Sequence, residues 1–480
     1  PKRLYGSHGL EAWGYRLGVN KGDFGKTTDW SEWSEEMHTY MVQDTLVNHR
    51  LWYALAPERW SQHSIEFEHQ IAEICNRVGN AGWQFDIEKA GQLYAMLAKE
   101  KAELAEELKQ LFPAWTIEEE FVPKVNNSKL GYVKGEPFIK THTIEFNPNS
   151  RKHIEHCLRQ KYNWQPREYT ASGDAVVSES TLVGLPFPEA QKLARSFMIQ
   201  KRLGQLAEGR NAWLKLVGND GKLRHSINSN GAVSGRATHM NPNMSQVPSV
   251  RAAFGQECRE LFGVPEGYSL VGSDLSGLEL RCLAHFMQDG GAYAKEILEG
   301  DIHTANMKSM GLNDRSAAKT AIYCLIYGGG DTRLGEAIGG SAAEGRALRQ
   351  RFLKAQPAYA GLVAAVKAAV NNKGYLVGLD GRHLPIRSDH AALNTLLQSA
   401  GALICKKWMQ LIDSEIKRLG IDAQILCWSH DELQIQVKKG AEDDVCRVSG
   451  RMAAEAGKYF KIKIPIDAEA RVGSTWAGTH

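Results

Sequence analysis

Two acidic segments stand out in the 480-residue chain by what surrounds them. Asp274 closes an apolar run, Ser269-Leu270-Val271-Gly272-Ser273-Asp274, in the segment DLSGLELR. Asp431 and Glu432 sit in CWSHDELQIQV, between two short stretches that alternate as strands do. A carboxylate beside apolar strands is costly unless it pairs or binds a cation. Two strand-end aspartates brought to one sheet edge would give the oxygen ligands that Mg²⁺ prefers, carboxylates completed by substrate phosphates. Two such ions about 3.5–4 Å apart would stabilise both the attacking and the leaving oxygen of an in-line displacement. Each aspartate taken alone reads equally well as a turn cap.

A third segment, RSAAKTAIYCLIYG at 315–328, changes that balance. Arg315, Lys319, Tyr323 and Tyr327 recur every four residues. On an α-helix each step drifts by about 40°, so the four form a stripe about 120° wide. The stripe is cationic at its start and aromatic at its end. Such a face suits a triphosphate at Arg315 and Lys319, with a base against the Tyr323 ring. His303, in Asp301-Ile302-His303-Thr304, offers a further phosphate donor. By itself the segment also reads as an ordinary half-exposed helix. The ordered set of acidic strand, basic–aromatic helix and acidic ribbon is what chance does not readily supply.

The elements that must hold these residues follow from pattern. A helix is predicted over about 87–112, and another over about 187–217 that carries Arg195, Lys201, Arg202, Arg210 and Lys215. The latter is either a solvated face or a phosphate-contacting arm. Residues 113–150, with Pro113, Pro123, Pro137 and Pro148, read as a run of loops. From residue 225 the pattern is mixed. Strands are expected at 269–274, 375–377, 383–386 and 425–437, with helices at about 278–287, 315–328, 342–371 and 388–419. One sheet receiving a helical insertion fits this order.

Composition narrows the classes. Lys plus Arg is 58 and Asp plus Glu is 55, a formal charge of +3, which excludes a histone-like basic protein and an acidic disordered chain. The eight cysteines are scattered and never form C-x-x-C, the pattern of reduced thiols in an intracellular protein. No stretch approaches the ~18 apolar residues of a membrane span. The first residues do not lead into a signal core, and the absence of an initiator Met suggests a fragment or a processed product.

DLSGLELRCLAHF, RSAAKTAIYCLIYG and WSHDELQIQV resemble motifs A, B and C of family A DNA polymerases, above all the replicative branch of T-seven-like phages. SGRATHMNPNMSQVP at 234–248, HAALNTLLQSAGALICK at 390–406 and the opening YGSHGLEAWGYRLG match as well. The resemblance implies an α+β right-hand fold and template-directed DNA synthesis from dNTPs on a primed DNA template. Its parts would be an exonuclease remnant at 1–60, thumb at 61–224, palm at 225–290 and 375–480, and fingers at 291–374. It further implies that Asp274, Asp431 and the Leu275 carbonyl hold two Mg²⁺, with Glu432 as an auxiliary carboxylate. Arg315, Lys319 and His303 would grip the triphosphate, and Lys319 would protonate the leaving pyrophosphate. Tyr323 would border the nucleotide and favour acceptance of dideoxynucleotides. Tyr327 would stack near the templating base, and Glu279 would block a 2′-hydroxyl. Arg236, Gln398 and His430 would donate to the minor groove at the primer end, where acceptors recur in every correct pair. Asn394 and His390 would line the adjoining template surface.

Two departures carry expectations of their own. The family's proofreading exonuclease needs several carboxylates, and only its last motif is visible, as Tyr40 and Asp44. No proofreading is therefore expected from this chain. The phage branch carries a long basic thumb insertion that recruits thioredoxin, whereas the interval from Trp115 to Phe146 is short. Thioredoxin is thus not an expected partner. A phage helicase–primase, a monomeric state and the host cytoplasm follow from the resemblance. Competing readings are an inactive DNA-binding relic, a single-subunit RNA polymerase disfavoured by Glu279, and a nuclease working from Asp44.

Overall fold

The computed structural model describes residues 8–20 and 22–480. Residues 1–7, which hold the start of the YGSHGLEAWGYRLG segment, lie outside the described residues, as does residue 21.

The site rests on a four-stranded antiparallel sheet in the order Ala423–Ser429, Glu432–Lys438, Tyr268–Leu275, Ala468–Gly473. Tyr268–Leu275 is central and nearly continuously buried, as its apolar run predicts. Register sets Glu432 opposite Asp274 on one side and Glu469 opposite it on the other. Residues directly opposite in antiparallel strands share a face, so three carboxylates line up across one face of the sheet. On the other face Ser273 bonds to Ser449 of the helix Glu442–Tyr459, and the Trp408 indole donates to the Ser449 carbonyl. Gly272 is required by close packing, since a Cβ there would stand 2.5 Å from the Cβ of Thr479.

The longest helix, Ala392–Leu419, runs through the larger of two cores and buries Trp408, Met409 and Ile412. The helix Gln62–Ala81, capped by the Ser61 hydroxyl, joins the same core through Phe67, Ile71, Ile74 and Val78. The second core gathers Trp83, Phe85, Trp213, Phe262 and Trp476 beside the helices Ile87–Leu111 and Pro188–Leu203. Helix 62–81 shares its interior with the sheet and the long helix, and the second core takes over from Trp83.

Three sequence expectations need correction. Residues 113–150 are not a run of loops. Trp115–Phe121 and Phe138–Ile144 pair in register as an antiparallel hairpin. All four prolines fall outside these strands, where a missing N–H costs no ladder bond. The helix expected over 187–217 ends at Leu203, loosens into a π turn at Gly204–Glu208 and resumes only as Trp213–Leu216. Its cations are largely engaged internally: Arg195 bonds to Glu100 through two nitrogens, Arg202 is buried against Gln205, and Lys215 donates to the carbonyls of Glu208 and Gly209. The helix expected over 342–371 is two, Ala342–Ala355 and Pro357–Lys373, because Pro357 cannot continue the first.

A buried ionic group ties the larger core together. Lys406 is fully buried and pairs with Glu68 of helix 62–81. Glu68 also accepts from Arg382 at 2.8 Å, and Arg382 grips Asp380 in the turn between Tyr375–Val377 and His383–Pro385. Removing one partner of such a group leaves buried charge uncompensated, which typically costs about 3–5 kcal/mol. Glu68→Ala should therefore lower the urea midpoint substantially, whereas the exposed Glu73→Ala should barely move it.

Candidate active site

The strand ending in Asp274 and the ribbon turn carrying Asp431 are tied directly. The Leu275 amide donates to the Asp431 carbonyl at 3.0 Å. The turn is shaped by His430, whose φ of +60° is left-handed, and by the Trp428 indole, which donates to the His430 carbonyl. Both aspartyl groups are pushed upward. Asp274 rises to about 8 through burial and then through the negative charges of Asp431, Glu432, Glu469 and Glu279. Asp431 rises to about 6, first through burial and next through Glu279. A divalent cation would relieve this crowding, so the donor set fits Mg²⁺.

Glu432 is placed differently. It is buried, and its Oε1 accepts from the Trp476 indole and the Gln434 amide at 2.6 Å each, with His480 Nε2 at 3.1 Å. Burial works against its charge, but His480, then Gln434 and the Arg259 charge, outweigh it and hold the carboxyl below its ordinary value. Glu432 thus braces the C-terminal turn while standing beside Asp274. A cavity of about 510 Å³ opens over this face, with Asp274, Glu469, Arg251 and Arg471 in its walls.

The basic–aromatic helix forms as Arg315–Ile326, capped by the Asp314 side chain. Ala318, Ala321, Ile322, Leu325 and Ile326 face the core. Arg315, Lys319, Tyr323 and Tyr327 stay on the opposite, open side. Tyr323 is half-buried on this side. Its hydroxyl is raised to about 12, chiefly by burial and then by Glu279, Tyr327 and Asp431, which sets it between the stripe and the carboxylates. His303 sits 6.4 Å from the Tyr323 ring, measured between centroids, and feels Lys319 and Arg315.

Residues 133–478 match the model of DNA polymerase family A. The DNA-directed DNA polymerases of Escherichia phage T7 and Enterobacteria phage T3 are each 34% identical, covering 100% of this chain and 84% of the relative. The chain belongs to DNA polymerase family A. Its reaction is template-directed DNA synthesis. DNA polymerase I of Pseudomonas aeruginosa is 26% identical over 70% of the chain. The fold also matches the solved polymerase domain of Pol1 from M. smegmatis, in complex with DNA primer-template and dNTP. That likeness has a TM-score of 0.77 at 20% identity and covers 98% of this chain and 80% of the other.

In this polymerase the remaining expected residues fall into three groups. Glu279 accepts from Arg236 at 3.0 Å and from the Tyr327 hydroxyl at 3.4 Å, so three expected site residues meet at one carboxylate. Arg236, His430 and Asp431 also line one narrow cleft with Leu278, Gly401 and Cys405. His390, exposed in the 3₁₀ turn Asp389–Ala391 that leads into the long helix, is followed at four-residue spacing by Asn394 and Gln398 on the helix itself, both half-buried. The His390 carbonyl closes on Gly328, where a Cβ would stand 2.0 Å from it, so only glycine lets the end of the Tyr327 helix approach. Tyr40 and Asp44 lie one turn apart on Glu35–Leu55, a helix that packs on Leu10–Leu17 and Phe24–Thr27.

Sequence reasoning missed Asp301 and Glu469 as parts of the site. Asp301 caps the helix Ile302–Met310 and also holds Arg315 through two bonds of 2.7 and 3.0 Å. A cap signal was legible there, but not the reach to Arg315. Glu469 stands in an unremarkable strand, and only register reveals it. As for membranes, no helix among the described residues is long and apolar enough to cross one.

The crowding has a measurable sign. The folded chain retains protons on Asp431 up to about pH 6 and on Asp274 up to about pH 8, whereas the unfolded chain loses them near 3.8. Stability in EDTA should therefore fall as pH rises through that window. Asp274→Asn and Asp431→Asn should each raise Tm by roughly 1–3 °C at pH 8 in EDTA and flatten the slope. Each should also abolish the Tm gain that Mg²⁺ gives the wild type. Thermal denaturation in both buffers checks all three.

Proposed function

We propose that this chain extends a DNA primer 3′-hydroxyl with dNTPs at the edge of the four-stranded sheet. The observation that carries the assignment of roles is the Tyr327–Glu279 hydrogen bond at 3.4 Å, which joins the end of the cationic stripe to the acidic group around Asp431. Asp274, Asp431 and the Leu275 carbonyl would hold Mg²⁺, as the family is generally divalent-metal dependent. Bound there, two ions would supply activation of the primer hydroxyl and charge neutralisation on the leaving pyrophosphate.

The chain's own residues do the rest. Arg315 exchanges Asp301 for the incoming triphosphate, a swap between two anions that costs little charge pairing. Lys319 holds a phosphate oxygen and delivers a proton to pyrophosphate as it leaves. His303 contributes a further hydrogen bond. Tyr323 packs against the nucleotide, and Glu279, pinned by Arg236 and Tyr327, fills the space a 2′-hydroxyl would need. Tyr327 stacks near the templating base, between Glu279 and the His390 end of the long helix. Arg236, Gln398 and His430 check the primer-end pair from the minor groove, with Asn394 and His390 beside them. Glu432 acts through position, keeping the turn of Asp431 fixed to the C-terminus.

The wider partnerships are part of the same proposal. The chain works as a monomer on primed DNA, beside a phage helicase–primase, without thioredoxin and without proofreading from Tyr40 and Asp44. The alignment with the T7 polymerase runs over 593 positions against 480 residues, so that relative carries internal segments this chain lacks. The interval between Phe121 and Phe138 is a short connection in a compact hairpin, which supports the thioredoxin-free reading.

Primer extension tests the assignment. Wild type with Mg²⁺ should extend with dNTPs and not NTPs, and Asp431→Ala should lose roughly 10²-fold or more. Glu279→Ala should admit NTPs, and Tyr323→Phe should discriminate against dideoxynucleotides more strongly. Added thioredoxin should leave product length unchanged, and primer incubated without nucleotides should remain intact. Equal extension with NTPs by wild type would favour the RNA polymerase reading, and no extension despite tight DNA binding would favour an inactive relic.

A further inference from the structure

Beside the ribbon that carries Asp431 lies a second cluster that the polymerase reaction does not use. His225, His239 and Cys427 are each buried, and their ligand-type atoms lie within 4.8 Å of one another. They come from two units. Ser226–Asn228 and Thr238–Met240 pair as a two-stranded ribbon with Ile227 opposite His239, so His225, two residues before Ile227, shares the His239 face. The two imidazoles stack with centroids 5.4 Å apart and planes 10° from parallel. Cys427 stands on the strand Ala423–Ser429 at a break in register, since Ile425 pairs with Ile435 while Cys427 pairs with Gln434. A bulge of this kind re-aims a side chain.

The described residues satisfy His239 in part and the His225 ring not at all. His225 Nδ1 and Nε2 and His239 Nδ1 are buried, and no hydrogen-bond partner meets them among the described residues. An imidazole is always a donor, an acceptor or both, so leaving both nitrogens of a buried ring unmet is expensive. The other His239 nitrogen interacts with the Trp428 backbone carbonyl. That is how metal-binding histidines are commonly oriented, with the N–H on a carbonyl and the opposite lone pair toward the ion. His225 is fixed from behind, its amide donating to the Gly79 carbonyl.

We propose that His225, His239 and Cys427 form a buried binding site for one Zn²⁺. Two imidazoles and a thiolate are ligands that zinc takes readily, and hard Mg²⁺ does not compete for them. Around a tetrahedral zinc such atoms stand about 3.4–3.6 Å apart, so the cluster closes by roughly an ångström, with water in the fourth position. Both rings are kept neutral by burial, to about 3 for His225 and about 4 for His239, so no proton competes for their lone pairs at neutral pH. Burial and then Glu432 push the Cys427 thiol well above its ordinary range, with the Arg259 guanidinium opposing them, so the thiolate would form only as the ion binds. The ion would bridge the ribbon that leads to Arg236 and the strand that leads to Asp431. It would thereby fix the separation of two residues that line the same cleft.

The test uses the full chain, purified without chelator from zinc-supplemented medium. Elemental analysis should find about one zinc per chain after dialysis against Mg²⁺ buffer, falling below about a fifth in Cys427→Ser and in His239→Gln. Substitution with Co²⁺ should give a thiolate-to-cobalt band that disappears in Cys427→Ser and survives in the control Cys446→Ser. Zinc-edge X-ray absorption on the wild type needs no variant, and should show nitrogen neighbours from imidazole with one sulfur. Substoichiometric zinc in the wild type, a shell of only nitrogen and oxygen, or a cobalt band that survives Cys427→Ser would each overturn the proposal. If the variants fail to fold, the absorption spectrum of the wild type decides alone.

Discussion

The constraint on which this structure turns is like-charge crowding at a sheet edge. Asp431, Glu432, Glu469 and Glu279 all act on Asp274 at the end of a single antiparallel sheet, and Glu279 and Glu432 act on Asp431 as well. Three of the five are provided for by the protein or by water. Glu279 has Arg236 and Tyr327, Glu432 has Trp476, Gln434 and His480, and Glu469 remains exposed. Among the described residues no cationic side chain is bonded to Asp274 or Asp431, and these are the two pushed upward. The fold therefore withholds neutralisation at the two positions where a cation is to bind. Such an edge persists only if the scaffold behind it resists relaxation. The buried Ser273–Ser449 pair, Trp408 and the Lys406–Glu68–Arg382 group supply that resistance.

The second part of the design is a cationic helix that must reach those carboxylates without collapsing onto them. Its first turn is restrained at a distance, because Arg315 is held by Asp301. Its last turn is drawn in, because Gly328 allows contact with the His390 carbonyl and Tyr327 reaches Glu279. The helix is thus anchored at its aromatic end and exchangeable at its cationic end. That polarity suits a nucleotide whose sugar and base must be held in place while its phosphates arrive and leave.

Much of this was legible in the sequence, and the reasons are local. Asp274 after an apolar run, the four-residue stripe and the HDE turn each follow from one period or one strand, and the structure brings them together. What was not legible depended on long-range register or on partners far along the chain. Glu469 enters only because its strand pairs beside Asp274, and Glu432 turns to Trp476 and His480, more than forty residues later. The hairpin at 115–144 was hidden because its prolines drew attention as loop signals, when in fact they mark where strands begin and end. The basic segment at 187–217 misled in the opposite direction. Charge is visible in a sequence, but the Glu100 that neutralises Arg195 lies 95 residues away.

The strand Ala423–Ser429 shows how one element can serve two sites. Its far end delivers the turn of Asp431 to the edge of the sheet, while the bulge at 425–427 directs Cys427 toward two histidines beside it. A regular strand would have kept strict alternation and could not have made both placements with this register. The bulge costs a ladder bond, and in a buried strand that loss persists only where the redirected side chain returns something. In the acidic front the return is geometric, because Asp431 is held against the Leu275 amide. At the bulge the described residues provide no such return for His225. The unmet imidazole nitrogens and the displaced cysteine are therefore one observation, a polar pocket whose balance is completed from outside the chain.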